Sequence, residues 1–132
     1  CTFIYNFLIK TQNDLFQIGS YLAQTKQERQ KNNQFLLSSD TILVLEKIID
    51  EIETKTPSIT RFVLPGGTLT SSHFQISRTI CRRCERRITI FNQKEKLDSN
   101  LLIYINRLSD FLFVTGRFFL SNSSVKEIFW EK

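Results

Sequence analysis

The chain has 132 residues, a formal net charge of +5 and a sequence pI near 9.3, with 41% hydrophobic and 23% charged residues. That is one domain of ordinary size, able to bury roughly two-thirds of its unfolded surface. No apolar run approaches the ~18 residues of a bilayer-spanning helix, the N-terminus lacks a secretory pattern, and three cysteines, an odd number, build no disulfide framework. A soluble intracellular protein is expected, and its basic charge suits an anionic ligand or nucleic acid without choosing between them.

In chain order, Ile4, Leu8, Leu15, Ile18 and Leu22 follow a helical stripe through about residue 24, with Asn13 and Asp14 on the polar side. A polar connection covers Thr25 to Ser38. Ser39 or Asp40 then caps a second helix whose Ile42, Leu45, Ile49 and Ile52 form the apolar line, ending before Pro57. Phe62 to Leu64 is a short apolar run in the Lys55 to Thr70 connection, where Pro65, Gly66 and Gly67 bend the chain. Thr70 or Ser71 caps a third helix, from about Ser71 to Asn92. After the Gln93 to Leu97 connection, a fourth helix starts near Asp98 or Ser99 and buries Leu101, Ile105, Leu108, Leu112 and Thr115; a short terminal helix is placed near Val125 to Trp130. Strand and hairpin signals are poor. The pattern predicts an all-α, up-and-down four- or five-helix bundle of ferritin-like shape, a single domain over residues 1–132.

The chemistry concentrates on the third helix. Arg78, Arg82 and Arg86 recur every four residues and share a face, Glu85 follows Arg82 by one turn and can orient it, and Arg83 and Arg87 form a second row. Like charges at that spacing repel, so carboxylates, phosphates or both must compensate them; polyphosphate is the obvious ligand, and a solvated basic face is the plainer alternative. On the fourth helix Asn106, Asp110, Phe113 and Arg117 form a stripe opposite the core. There Asp110 is placed to neutralise an arginine, as an ordinary interhelical pair or as part of a site, and Asn106 to offer an amide to a phosphate or sugar. Cys81 and Cys84 make a lone C-x-x-C without further ligands nearby save His73, so structural thiols are favoured and no metal site is assigned. Phe62 alone reads as core.

The strings RFVLPGGT, SRTICRRCERR and YINRLSDFLFVTGR, with QNDLFQIGSYLA before them and KEIFWEK after, resemble the PduO-type ATP:cob(I)alamin adenosyltransferases in order and spacing through nearly the whole chain. The resemblance implies transfer of the 5′-deoxyadenosyl group of ATP to the cobalt of cob(I)alamin, with release of triphosphate and with Mg2+ as cofactor. It implies ATP contacts from Arg82, Arg83, Glu85, Arg86 and Asn106, with Phe62 below the corrin. Arg78 matches an arginine that pairs with an acidic residue of a neighbouring subunit, in a homotrimer with active sites at its interfaces. A cob(II)alamin reductase is an implied partner; nucleic acid and membrane are not. Surplus aromatics, Phe3, Phe7, Phe16, Phe118 and Phe119, fit the trimer. Bacterial cytoplasm is the expected compartment, with mitochondrial matrix as the alternative.

Some features depart from that pattern. The family's opening Thr-, Lys-, Gly- and Asp-rich triphosphate segment, and the Asp-Glu-Leu-Asn-like helix after it, are absent from this sequence, so a fragment, a processed chain or a decayed copy is expected. Gln75, Cys84 and Gly116 stand where histidine, alanine and alanine are usual, and the glycine weakens its helix by about 1 kcal/mol relative to alanine. A noncatalytic cobalamin- or polyanion-binding helical module is therefore the alternative reading. Against nucleic acid, the basic helix lacks interleaved aromatics and no helix-turn-helix spacing occurs.

Overall fold

The computed structural model describes residues 2–31 and 37–132, and the chain divides into two compact units between Ser38 and Ser39. Five α-helices and no strand occur among the described residues, so the chain is all-α as its periodicity predicts. None of these helices is long and apolar enough to cross a membrane.

The first unit holds α1 (Thr2–Ala23) and the short α2 (Lys26–Lys31). Along α1 the buried line is Ile4, Phe7, Thr11, Asp14 and Ile18, alternating steps of three and four residues. The expected stripe erred where this line accepts polar residues: Leu15 is exposed, while Asp14, assigned to the polar side, is buried. Two local bonds make that burial tolerable. Lys10 Nζ donates to Asp14 Oδ2 at 3.0 Å, and the Thr11 hydroxyl donates to Phe7 O at 2.9 Å. α2 lies inside the expected polar connection, whose residues 32–36 fall outside the described residues. A capping box starts it, with Thr25 N donating to Glu28 Oε2 at 2.7 Å and Glu28 N to Thr25 Oγ1 at 3.2 Å. The bond from the Thr25 backbone, then that from its hydroxyl, holds the Glu28 carboxyl below the ordinary carboxylate range.

The second unit contains α3 (Ser39–Thr54), α4 (Leu69–Lys94) and α5 (Ser99–Ser121), with α5 packed against both of the others. The predicted apolar lines of α3 and α5 are all buried. α4 differs: over 26 residues it buries only Ser71, Cys81 and Ile88. Its first turn is set by the preceding bend. Gly66 and Gly67 adopt φ of +113° and +106°, a region open to glycine and closed to most side chains, and the chain leaves that bend directly into Thr68. Thr68, rather than Thr70 or Ser71, is therefore the cap, being the first hydroxyl past the turn. Ser71 completes a capping box with it and sends its own Oγ to Gly66 O at 2.7 Å. α5 starts after Asp98, whose Oδ1 accepts from Asn100 N at 2.8 Å.

Gly116 is not simply a weak helix former. It faces the first turns of α4, and a Cβ there would lie 3.1 Å from Phe74 Cβ and 3.1 Å from Gln75 Nε2. The propensity gained by alanine is offset by crowding, which revises the expected penalty. Beside it, Phe74, Phe118 and Phe119 form a ring cluster, with centroids 5.7 Å apart for the stacked pair and 5.4 Å for the edge-on pair. Phe118 and Phe119 are thus partly used within the unit, and Phe7 is buried; of the surplus aromatics Phe16, at 83% exposure, is the clear remainder.

No terminal helix forms near Val125 to Trp130. That segment runs extended and pairs with the loop before α4 through an antiparallel Val63–Phe129 bridge. Leu64 N donates to Ile128 O at 2.8 Å, and Trp130 N donates to Phe62 O at 2.7 Å. A hydrogen-bonded partner in the Phe62 to Leu64 run outweighs one isolated helical turn, which would be marginal in water.

Candidate functional site: an arginine face with one carboxylate

α4 is long and mostly unburied, so its arginines project from a rigid rod. Arg82, Arg83, Arg86 and Arg87 are exposed, and among the described residues none has an ion-pair partner. Repulsion along the Arg78, Arg82 and Arg86 line is therefore without a compensating carboxylate among the described residues, the condition in which phosphate oxygens are the natural complement. Arg78, one turn nearer the N-terminus, is half-buried. Its guanidinium lies 4.8 Å from the ring centroid of Phe113 on α5, and its buried Nε has no hydrogen-bond partner among the described residues. A cation–π contact holds the group flat but leaves that N–H unsatisfied.

Glu85 is the only acidic residue of α4. It is held from α5 instead of by Arg82: Asn106 Nδ2 donates to Glu85 Oε2 at 2.7 Å, and Arg107 Nη2 donates to Asn106 Oδ1 at 2.6 Å. The Asn106 amide is thereby oriented, carbonyl to the guanidinium and amide to the carboxylate. Arg107 also pairs with Asp110 Oδ2 at 3.0 Å. Asp110 thus finds its arginine three residues back on its own helix, not across on α4. Proximity decides it, since residues three apart on a helix are already neighbours.

Arg117, assigned to the stripe opposite the core, is in fact buried, bonded to Glu127 and to Pro57 O. The structure thus brings Glu85 and Asn106 together across α4 and α5, leaves Arg82, Arg83 and Arg86 exposed on α4, and buries Arg117 on α5. Arg107 was missed by sequence reasoning, although its spacing from Asp110 was a usable signal.

Phe62 is 77% exposed, so its reading as a core residue fails; its ring meets the edge of Trp130 at 6.2 Å. In the C-x-x-C, Cys84 is exposed and Cys81 is buried, donating its thiol to Ile105 O at 3.4 Å. Burial pushes the Cys81 thiol up to about 12, with the neighbouring Cys84 and Glu85 adding to the rise. Such a thiol is inert and serves packing. No group of three or more His, Cys, Asp or Glu side chains able to hold a metal ion occurs among the described residues.

Comparison with known proteins gives this geometry a family. The family described as cobalamin adenosyltransferase matches residues 2–119. The corrinoid adenosyltransferase of Bacillus subtilis is 32% identical over 125 residues, which cover 95% of this chain and 63% of that protein. Human corrinoid adenosyltransferase MMAB is 36% identical over 115 residues, covering 84% of this chain and 45% of the human protein. Among solved structures, a phenylalanine-to-alanine variant of the PduO-type ATP:corrinoid adenosyltransferase from Lactobacillus reuteri, complexed with cobalamin and ATP, superposes with a TM-score of 0.87 at 31% identity. That match covers 96% of this chain and 70% of the other. The chain thus spans about 63% of the bacterial relative's length and under half of the human one's. With a family match that runs from α1 almost to the end of α5, this chain belongs to the cobalamin adenosyltransferase family.

Proposed function

We propose that this protein transfers the 5′-deoxyadenosyl group of ATP to the cobalt of cob(I)alamin. The observation that carries the reading is the uncompensated arginine row of α4 beside an oriented Glu85. The reduced cobalt attacks the ribose 5′ carbon, a cobalt–carbon bond forms, the carbon–oxygen bond breaks, and its electron pair leaves with the triphosphate. No side chain has to act as nucleophile, so the protein's work is to align the reactants and stabilise charge on the leaving group.

Arg82, Arg83 and Arg86 supply that charge, already fixed on a helix and short of anions. Asn106 and Arg107 hold the Glu85 carboxylate in place. Magnesium prefers oxygen ligands, commonly one or two carboxylates plus substrate phosphates, and Glu85 with a bound triphosphate fits that donor set. The ion would neutralise part of the phosphate charge. Phe62, exposed on its loop, offers an apolar ring to the lower face of the corrin, where it would displace the lower base and favour a four-coordinate cobalt that is easier to reduce.

The working assembly is a homotrimer of single-domain protomers. Its support is the scarcity of burial along α4, the unsatisfied Nε of Arg78 and the exposure of Phe16 and Leu69. Sedimentation showing only monomer at micromolar concentration would refute it. A cob(II)alamin reductase supplies the cobalt(I) substrate, in the bacterial cytoplasm or, as the alternative, the mitochondrial matrix.

An anaerobic assay with reduced cobalamin, ATP and magnesium, following loss of the cob(I)alamin absorbance, tests the reaction. Arg82→Ala should slow it by about a hundredfold, the size expected for a charged transition-state contact. A rate within a fewfold of the parent removes Arg82 from its role. Cobalamin binding without turnover would point to the noncatalytic module.

A further inference from the structure

Arg117 is buried at 6% exposure, and the proposed chemistry makes no use of it. Its Nε donates to Glu127 Oε2 at 3.0 Å and its Nη2 to Glu127 Oε1 at 2.9 Å; Nη2 also reaches Pro57 O at 2.8 Å. A planar guanidinium forked onto a carboxylate fixes orientation as well as distance. One side chain of α5 therefore ties down both the start of the loop that carries Phe62 and the tail that follows α5.

Beyond Glu127 the tail runs beside that loop, bonded at Leu64 N to Ile128 O (2.8 Å) and at Trp130 N to Phe62 O (2.7 Å). The Trp130 ring meets Phe62 at 6.2 Å, and the Arg61 guanidinium lies 4.9 Å from the ring of Phe129. Phe62 is 77% exposed, so core packing does not orient it; these tail contacts do. A pairing this short is marginal in water without an anchor. The buried Arg117–Glu127 pair is that anchor, with side-chain exposures of only 7% and 11%.

We propose that Arg117 is a positioning residue for Phe62, acting through Glu127 and the tail segment that the ion pair holds against the loop. The inference rests on the reading of Phe62 as the ring beneath the corrin. It makes the tail part of the machinery that aims that ring.

The chain has one tryptophan, Trp130, and it sits in the strapped segment, so its fluorescence reports whether the tail is held. In the full-length protein, Glu127→Ala should leave the helical circular dichroism intact, shift Trp130 emission to the red and make it more readily quenched by acrylamide. It should lower kcat as far as Phe62→Ala does, on the order of tenfold or more, because small misplacements at a reacting centre are costly. KM for ATP should stay within about twofold, since the arginine face is untouched. Combined with Phe62→Ala, it should add nothing, because both changes remove one positioned ring. Arg117→Lys, which keeps the charge without the fork, should fall between. If Glu127→Ala does not fold, Trp130→Ala leaves the ion pair in place and runs the same cycle against Phe62→Ala.

A freed Trp130 with kcat unchanged overturns the positioning role, as do losses that multiply with that of Phe62→Ala. Phe62→Ala active at the parent rate removes the corrin role of Phe62 and this proposal with it. A slow Phe62→Ala beside a Glu127→Ala at the parent rate sinks the positioning role alone.

Discussion

Arg82 and Arg117 are the same residue type on neighbouring helices of one unit, and the fold treats them oppositely. Arg117 is buried and carries three hydrogen bonds, two to a carboxylate and one to a carbonyl. Arg82 is exposed, flanked by like charges and, among the described residues, without an ion-pair partner. A satisfied guanidinium belongs to the architecture, and an unsatisfied row of them implies an anion from outside. Stability should therefore respond in opposite directions when each is removed.

The largest effect is expected at the satisfied member. Arg117→Leu leaves Glu127 buried without its cation, and breaking one side of such a pair costs about 3–5 kcal/mol. A urea titration should show that loss as a shift in midpoint with little change in slope. A loss below about 1 kcal/mol would mean that Glu127 swings into water and that the pair is not structural.

The loop before α4 ranks next. At Gly67 an added Cβ would stand 2.6 Å from Leu120 Cδ1, while at Gly66 the nearest atom is Ser72 Oγ at 3.8 Å. Both glycines have positive φ, so alanine at either costs about 1–2 kcal/mol in backbone strain. Only Gly67→Ala also forces a buried leucine to move, adding about 1–3 kcal/mol of overpacking. Thermal melts should rank Gly67→Ala well below Gly66→Ala. Equal melts would show that Leu120 yields freely.

Arg82→Ala should behave unlike either. It removes a guanidinium that repels Arg78 and Arg86 one turn away, so the apo protein should gain about 0.2–0.5 kcal/mol per relieved pair while its transfer rate falls. A variant more stable yet slower marks a charge kept for a ligand. If Arg82→Ala instead destabilises by more than about 1 kcal/mol, the arginine has a structural partner and the contrast with Arg117 collapses.

How much of this could be read in advance depended on how local its cause is. The buried lines of α3 and α5 were legible because Ile42, Leu45, Ile49 and Ile52, and Leu101, Ile105, Leu108 and Leu112, are apolar at helical spacing and face one core. α1 was read less well because Thr11 and Asp14 occupy its buried line, and no pattern of apolar letters includes them. The α4 cap was misplaced since Thr68, Thr70 and Ser71 are all competent hydroxyls, and only the positive-φ glycines decide which comes first. The tail was illegible for a different reason. Its pairing joins Val63 to Phe129 across most of the second unit, and nothing nearby in sequence says that Glu127 belongs to Arg117 rather than to a free arginine of α4. At the site, the arginine row and Asn106 were visible from spacing, but the bond from Asn106 to Glu85 required two helices to meet.

The smallest effect separates the two cysteines of the same arginine segment, and it appears only in alkali. Cys81 is shifted from the ordinary 9.0 to about 12, chiefly by burial. Its folded pKa is raised, so between those values the unfolded chain releases a proton that the folded chain keeps. The stabilisation from the neutral buried thiol is complete below pH 9 and drains away as pH climbs toward 12. Cys81→Ala should therefore flatten the decline in stability above pH 9, whereas Cys84→Ala, at an exposed position, should leave it unchanged. Alkylation with iodoacetamide at pH 8 should follow the same division, modifying Cys84 while Cys81 stays protected until the chain unfolds. If Cys81 reacts as fast as Cys84 in the folded protein, the α4–α5 contact around Ile105 opens readily. The platform that holds Asn106 against Glu85 would then be too loose to orient a carboxylate.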